Sequence, residues 1–408
     1  MDFEKTLQEE IRTLINNIKI NIWFTLNFIT CDLNYCFPLL IQKNQGLEED
    51  FNIPTVLIAP LDWGLGHATR CIPVIKAFLQ LKWKVIIAAD GQTKILLQQE
   101  FPFLLVEHLN GYHIRYSKHA HSLLLKIVTQ IPKMLSAIKN EHCWLAEYAH
   151  KHKIDLIVSD NRYGFYAEKI KSIFITHQLQ IKTGNRFSDF IIRKVNYLFI
   201  KNFNECWVAD TESAINVAGE LSHPNHMPPV KTQYLGLLSR FIKTTAFPNY
   251  KYDCCIVLSG PEPQRTILEK AILQDLPFLN LKIMLVRGKP QTDETLPVPN
   301  HVQVQNHLSG TALQEAFEQS CFILSRSGYT TILEILSLQK KSILIPTPGQ
   351  PEQEYLGKKL AENNLAYCIP QESFSLISAW NTATLFPYAC LELPVFNEKV
   401  LNRLLSGT

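Results

Sequence analysis

The chain has 408 residues, 46% of them hydrophobic and 19% charged, with a formal net charge of +3. That length accommodates two α/β domains of ordinary size, each with its own core. So small a charge excess gives no basis for a nucleic-acid partner. The ten cysteines contain no C-x-x-C pair, and only Cys254 and Cys255 adjoin, so no zinc site or disulfide framework is indicated. Reduced thiols in a cytoplasmic protein are the expectation.

Residues 1–53 do not match the rest. The stretch 11–41 is rich in apolar residues such as Trp23, Phe24, Phe28 and Phe37, but Lys19, Asp32 and several Asn interrupt it. No uninterrupted run reaches the length of a membrane span, and the basic start and cleavage site of a signal peptide are absent. Two readings stay open, a membrane-leaning extension or sequence upstream of the true start. The second is preferred, with no defined role.

From Thr55 the pattern is regular. Residues 56–60 read as an apolar strand, 62–69 as a loop, 70–81 as a helix with Ile72, Val74, Ile75, Phe78 and Leu79 on one side, and 84–89 as the next strand. This is the βαβ opening of a doubly wound sheet. The loop Asp62-Trp63-Gly64-Leu65-Gly66-His67-Ala68-Thr69-Arg70 has two glycines that permit a sharp turn and a close ligand approach. It fails as a dinucleotide fingerprint because the third glycine is missing, and Asp90 alone is weak evidence for a ribose contact.

Further strands are expected at 104–107, 156–159, 172–176, 205–209 and 233–235, completing a first domain over 54–240. Asp160 and His177 follow two of these strands, at the carboxyl ends where open α/β sheets place ligands. Both are acceptor-site candidates, and Asp160 could orient an imidazole. The segment 182–201 combines Lys182, Arg186, Arg193, Lys194 and Lys201 with Phe187, Phe190, Tyr197 and Phe199. It suits either an anionic membrane surface or a core-facing helix with a solvated basic edge.

Residues 241–252, with Pro248 and mixed charge, read as a linker. A second α/β series over 253–372 places strands at 253–259, 282–287, 301–305, 321–325 and 342–346, and a helix at 262–274. A C-terminal segment, 373–408, ends in a helical pattern through Val400, Leu401, Leu404 and Leu405.

The most informative stretch is Ser325-Arg326-Ser327-Gly328, followed by a helix from Tyr329 with Ile332, Ile335 and Leu336 on its apolar face. A strand ending in small polar residues and feeding a helix leaves backbone N–H groups free to bind an anion. Glu334, further along the helix, cannot touch that anion but can reach a hydroxyl pair on the group attached to it. A nucleotide diphosphate fits, with phosphate at the helix start and ribose on the carboxylate. A lone Glu is ordinarily a solvated helix residue; the turn, the spacing and the loop Pro346 to Glu354 argue otherwise together.

These residues resemble the donor-binding half of GT-B glycosyltransferases, most closely family 28, the group that includes the lipid II-forming N-acetylglucosaminyltransferases. The resemblance runs over about residues 56–364, strongly in the second half and thinly in the first. It implies two Rossmann-like domains facing a cleft, with a C-terminal helix packing back on the first. It implies a hexosyltransferase that uses a UDP-sugar, with Ser325, Arg326, Ser327 and Gly328 at the phosphate and Glu334 at the ribose. The family's Gln pair at the donor sugar falls on Gln353 and Glu354, so its second member is changed, and Gln350 offers a further amide. Gly66 and His67 match a Gly-His pair facing the cleft, with His67 as general base or acceptor-orienting group. Ser259 and Gly260 fall on a donor loop that is less glycine-rich here. Arg240 falls on a phosphate-contacting arginine, and His307 on a segment whose backbone faces uracil.

No DxD-type pair stands in a suitable loop, so no catalytic metal is expected, and no cofactor besides the UDP-sugar substrate. Inversion is expected, onto a hydroxyl acceptor for which a lipid-linked molecule is one candidate, at the inner face of the cytoplasmic membrane. Two other functions share the plan. A UDP-sugar epimerase would need several carboxylates and basic groups converging on the sugar, and no such set is found. A non-catalytic nucleotide-sugar-binding subunit would not need the full first domain with Gly66 and His67.

Overall fold

The computed structural model describes residues 53–112, 123–183, 185–243, 249–290 and 292–407. The expectations for residues 1–52 and for the Pro248 region of the linker lie outside them. Both sheets belong to the unit Asn52–Thr408.

The first sheet contains β1 (Thr55–Pro60), β2 (Lys84–Ala89), β3 (Leu105–His108), β4 (Leu156–Asp160), β5 (Lys171–Thr176), β6 (Glu205–Val208) and β7 (Lys231–Tyr234). Its helices are α1 (Leu65–Gln80), α2 (Gly91–Glu100), α3 (Leu123–Lys151) and α4 (Arg186–Ile200). All six residues of β1 are buried, because helices cover both faces of a parallel sheet. Val56 and Ile58 pack with Ile72, Ile75 and Phe78 of α1 on one face. Leu57 and Ala59 pack with Leu145 and Tyr148 of α3 on the other. The alternation along β1 thus divides its side chains between two cores.

The second sheet contains β8 (Tyr252–Val257), β9 (Ile283–Val286), β10 (Val302–Gln305), β11 (Ser320–Ser325), β12 (Lys341–Leu344) and β13 (Tyr367–Cys368). Helices α5 (Gln264–Asp275), α6 (Gly310–Glu318), α7 (Tyr329–Ser337), α8 (Pro351–Glu362), α9 (Leu376–Leu385) and α10 (Glu398–Ser406) complete the chain. Strand orders are β3-β2-β1-β4-β5-β6-β7 and β10-β9-β8-β11-β12-β13, and the strand pairs are parallel. Direction of winding reverses between β1 and β4 in one sheet and between β8 and β11 in the other. At those two points the strand ends pair in register, Pro60 with Asp160 and Val257 with Ser325. Crevices at such reversals are where open α/β sheets hold ligands.

Two boundaries differ most from the sequence reading. Helix α1 starts at Leu65 rather than at 70, because Gly64, with φ of +83°, makes the whole turn. The second half also runs beyond 372. Leu376, Ala379 and Ala383 of α9 lie in the second core, where Trp380 and Tyr388 meet Phe322. The apolar residues of 376–388 complete that core, so the returning segment starts after them. It places Val395 in a parallel bridge with Leu237 and packs α10 against α1. Leu401 and Leu404 join the core that also contains Ile72 of the first half and Ile332 of the second.

Candidate active site

His67 occupies the first turn of α1, just beyond β1. Its Nδ1 lies 3.2 Å from Asp160 Oδ2 and 2.8 Å from Arg70 Nη2. Asp160 ends β4 and is wholly buried. Arg70, one helical turn beyond His67, grips it side-on, with Nε 3.2 Å from Oδ2 and Nη2 in contact with Oδ1. Burial works to raise the Asp160 carboxyl, but Arg70 and His67 together hold it down at about 2. The remaining edge of Arg70 reaches His177, with Nη1 2.6 Å from Nδ1. Burial pushes the His177 imidazole below its ordinary value, although Glu352 pulls the other way.

In the second half, Ser259 and Gly260 follow β8 and are exposed. Gly260 has φ of +96°, and its missing Cβ faces Thr347 Oγ1 at 3.6 Å. That hydroxyl is buried and has no hydrogen-bond partner among the described residues. Ser325 and Ser327 are buried at the end of β11, and Gly328 caps α7 in an extended conformation. Ser327 Oγ donates to the Gln353 carbonyl at 2.8 Å, tying the turn to the first turn of α8. From there Gln353 reaches back to the preceding loop, its Oε1 accepting from Thr347 N at 2.9 Å and its Nε2 donating to Gln350 Oε1 at 2.5 Å. Glu354 Oε1 accepts from Gly349 N at 3.0 Å and is exposed. His307 is exposed beyond β10.

Arg240 and Glu334 come together, Nε to Oε1 at 2.7 Å. Burial raises the Glu334 carboxyl, and Arg240 opposes that rise. Arg326 corrects the sequence reading. Its Nη1 donates to the Ile345 and Pro346 carbonyls at 3.2 Å each, and its Nη2 to the Gln264 carbonyl at 2.8 Å and Gln371 Oε1 at 2.6 Å. Burial lowers this guanidinium to about 10. Those bonds fasten the loops behind the turn, so Arg326 is a brace and its charge is directed away from a phosphate at the helix start.

The two halves touch through these elements. Thr330 Oγ1 donates to the Gly66 carbonyl at 3.3 Å, and a Cβ on Gly66 would stand 3.1 Å from that hydroxyl. Gly66 therefore serves close approach, while Gly64 makes the turn. The Tyr329 hydroxyl donates to the Ala209 carbonyl, and its ring stacks on His177 at 4.0 Å between centroids. Glu352 Oε1 lies 2.9 Å from His177 Nε2. His177, an expected acceptor contact, is thus enclosed between Arg70, Tyr329 and Glu352. Arg70, Thr347 and Glu352 were not singled out from sequence. Only Arg70 carried a signal, one turn after His67 on the same helix.

Residues 255–385 match the model of the glycosyltransferase family 28 C-terminal domain. A stretch of 132 residues is 28% identical to the UDP-N-acetylglucosamine--N-acetylmuramyl-(pentapeptide) pyrophosphoryl-undecaprenol N-acetylglucosamine transferase of Buchnera aphidicola subsp. Schizaphis graminum, covering 31% of this chain and 37% of that protein. The chain therefore spans little more than a third of that relative's length. The glycosyltransferase SnogD from Streptomyces nogalater superposes with a TM-score of 0.56 at 11% identity, over 87% of this chain and 100% of that one. MurG of Acinetobacter baumannii superposes with a TM-score of 0.50 at 15% identity, over 87% of this chain and 94% of that one. With two parallel sheets meeting at their reversal points, the chain has the GT-B fold of these glycosyltransferases, and its residues 255–385 are similar to the glycosyltransferase family 28 C-terminal domain.

Proposed function

We propose that the chain is a glycosyltransferase that moves a hexose or N-acetylhexosamine from a UDP-sugar to a hydroxyl acceptor, with inversion and without a catalytic metal. The observation that carries this reading is the contact from Thr330 to Gly66. It joins the start of α7, where N–H groups favour an anion, to the residue before His67. A donor with its diphosphate on that helix start would present its sugar towards His67 and the start of α8 at 350–354.

In the proposed reaction the acceptor oxygen forms a bond to the anomeric carbon as the bond from that carbon to the phosphate oxygen breaks. The hydroxyl proton passes to His67 Nε2, and UDP departs with the bonding electron pair. Asp160 would stabilise the imidazolium through Nδ1. The helix start, with Ser325, Ser327 and Gly328, would take up charge on the departing UDP, aided by Ser259, Gly260 and Arg240. Glu334 would hold the ribose, the His307 segment the base, and Gln350, Gln353 and Glu354 the sugar hydroxyls, where an unpaired polar group rejects a wrong epimer.

The acceptor would enter beside α4. A pocket of about 230 Å³ there is lined by Lys182, Arg186, Arg193 and Phe190 among others. Lys182 Nζ lies 5.3 Å from the ring centre of Tyr355 on α8, so the pocket borders the other half. Phe187, Phe190 and Leu198 are exposed on the same helix. Basic groups with exposed apolar side chains support an anionic, lipid-linked acceptor met at the cytoplasmic membrane face. Among the described residues no helix is long and apolar enough to cross a membrane.

The deciding measurement is incubation with UDP-sugars, with and without hydroxyl acceptors. Release of UDP with formation of a glycoside supports the transferase. Sugar inversion without transfer would mean an epimerase, and binding without turnover a non-catalytic subunit.

A further inference from the structure

Four side chains form a continuous line from the first half to the second: Asp160, Arg70, His177 and Glu352. A guanidinium has donors and no acceptor. The 2.6 Å contact from Arg70 Nη1 can therefore be a hydrogen bond only to a His177 Nδ1 that carries no proton. The ring's proton then belongs on Nε2, where it donates to Glu352 Oε1 at 2.9 Å. The ring plane is fixed as well, lying within 9° of the Tyr329 ring. Arg70 itself is immobilised by its side-on grip on Asp160. Among the described residues the charged or titratable groups facing His177 are Arg70 and His67 from α1, Tyr329 from α7 and Glu352 from α8.

We propose that Arg70 is a positioning residue of the transferase site. By imposing the Nε2–H tautomer on His177, it directs that proton at Glu352 and fastens the first turn of α8 to the half that carries His67. Gln350, the N-cap of α8, and Gln353 in its first turn are seated by the same contact. Lysine could not replace it, because an ammonium lacks the planar fork that meets a carboxylate and an imidazole at once. The seating of a donor sugar rests on the transferase reading, whereas the tautomer does not.

The test is nitrogen-15 NMR of the histidines in the full chain at pH 7.5, with His177 assigned by its loss in His177→Gln. The expected signal is a neutral ring protonated on Nε2, changing to a mixture or to the Nδ1–H form in Arg70→Lys. In transfer assays Arg70→Lys and Glu352→Ala should each raise the donor KM at least about tenfold, with a smaller change in kcat, and their effects should not multiply in the double variant. A wild-type ring protonated on Nδ1 would overturn the proposal even if Arg70→Lys fails to fold. An unchanged tautomer and donor KM in a folded Arg70→Lys would do the same. If no nucleotide-sugar is turned over but the Nε2–H signal is present and moves in Arg70→Lys, the transferase reading falls and the role of Arg70 towards His177 stands.

Discussion

Arg240 Nε donates to Glu334 Oε1 at 2.7 Å, joining two residues 94 positions apart on the proposed donor side. Glu334 is 4% exposed, so its carboxylate depends on this partner. A ribose hydroxyl pair would bond its second oxygen. Glu334→Gln is expected to raise the donor KM by roughly 10- to 100-fold, equivalent to about 1.4–2.8 kcal/mol, and to alter kcat much less. Initial rates over a range of UDP-sugar concentrations check this. An unchanged KM would remove Glu334 from the donor site.

With its proton on Nδ1, donated to Asp160 Oδ2 at 3.2 Å, His67 keeps Nε2 free to accept from a hydroxyl; the 2.8 Å approach of Arg70 Nη2 to the same Nδ1 is then a contact and not a hydrogen bond. His67→Ala should lower kcat by about 10²- to 10⁴-fold, the range for loss of a general base. UDP should raise the melting temperature of this variant and of the wild type by similar amounts. Full turnover in His67→Ala would exclude His67 from the chemistry.

A second buried network supports the floor of the site. Arg162 Nε contacts Glu141 Oε1, while its Nη1 and Nη2 donate to the Pro60 and Asn110 carbonyls at 3.2 and 2.6 Å. Glu141 also accepts from the Tyr112 hydroxyl at 2.7 Å. Glu141→Ala leaves a fully buried guanidinium without its counter-ion, and about 3–5 kcal/mol of stability should be lost. Denaturant unfolding measures it; a loss below about 1 kcal/mol would show that the network relaxes.

Acid should weaken the protein in two stages. His177 is held below its ordinary value, so below about pH 6.5 the unfolded chain binds the extra proton more readily and stability falls with pH. Asp160 is depressed to about 2, and its contribution, on the order of 2 kcal/mol, is present above the ordinary carboxylate range and lost as pH falls through about 2. The melting temperature should therefore drop between pH 7.5 and 5, and the drop should shrink in His177→Gln. Equal drops in both proteins would assign the acid sensitivity elsewhere.

If the negative charge on the departing UDP is met by the start of α7 and by Arg240, chelation should not stop the reaction. Activity is expected to change by less than about twofold in excess EDTA, whereas Arg240→Gln should lower it more than tenfold. Loss of activity in EDTA with recovery on adding magnesium would require a metal in the mechanism.

The central strands of both halves are legible in the sequence because they are buried on two faces and read as short apolar runs, as 56–60 and 84–89 do, whereas the edge strand β13 is short, half-buried and carries no such signal. The turn at Ser325 to Gly328 is legible for the same local reason, small polar residues between a strand and a helix. The start of α1 is misplaced because two glycines stand close together and only Gly64 takes a positive φ, a difference composition does not encode. Arg326 illustrates the converse. Its neighbours in sequence suggest a phosphate ligand, while carbonyls from Gln264, Ile345 and Pro346 claim its guanidinium.

Local chemistry by itself thus determined the alternation of strands and helices, the two-domain plan and the position of the strand-turn-helix at Ser325 to Tyr329. Only the closed tertiary structure decided which side chains work together. Arg70 and His177 are 107 positions apart, and His177 and Glu352 are 175 apart. No periodicity relates residues so distant. Their meeting follows from the winding reversal of each sheet, which brings separate strand ends to one crevice, and from the contact of α7 with Gly66 that sets the two crevices face to face.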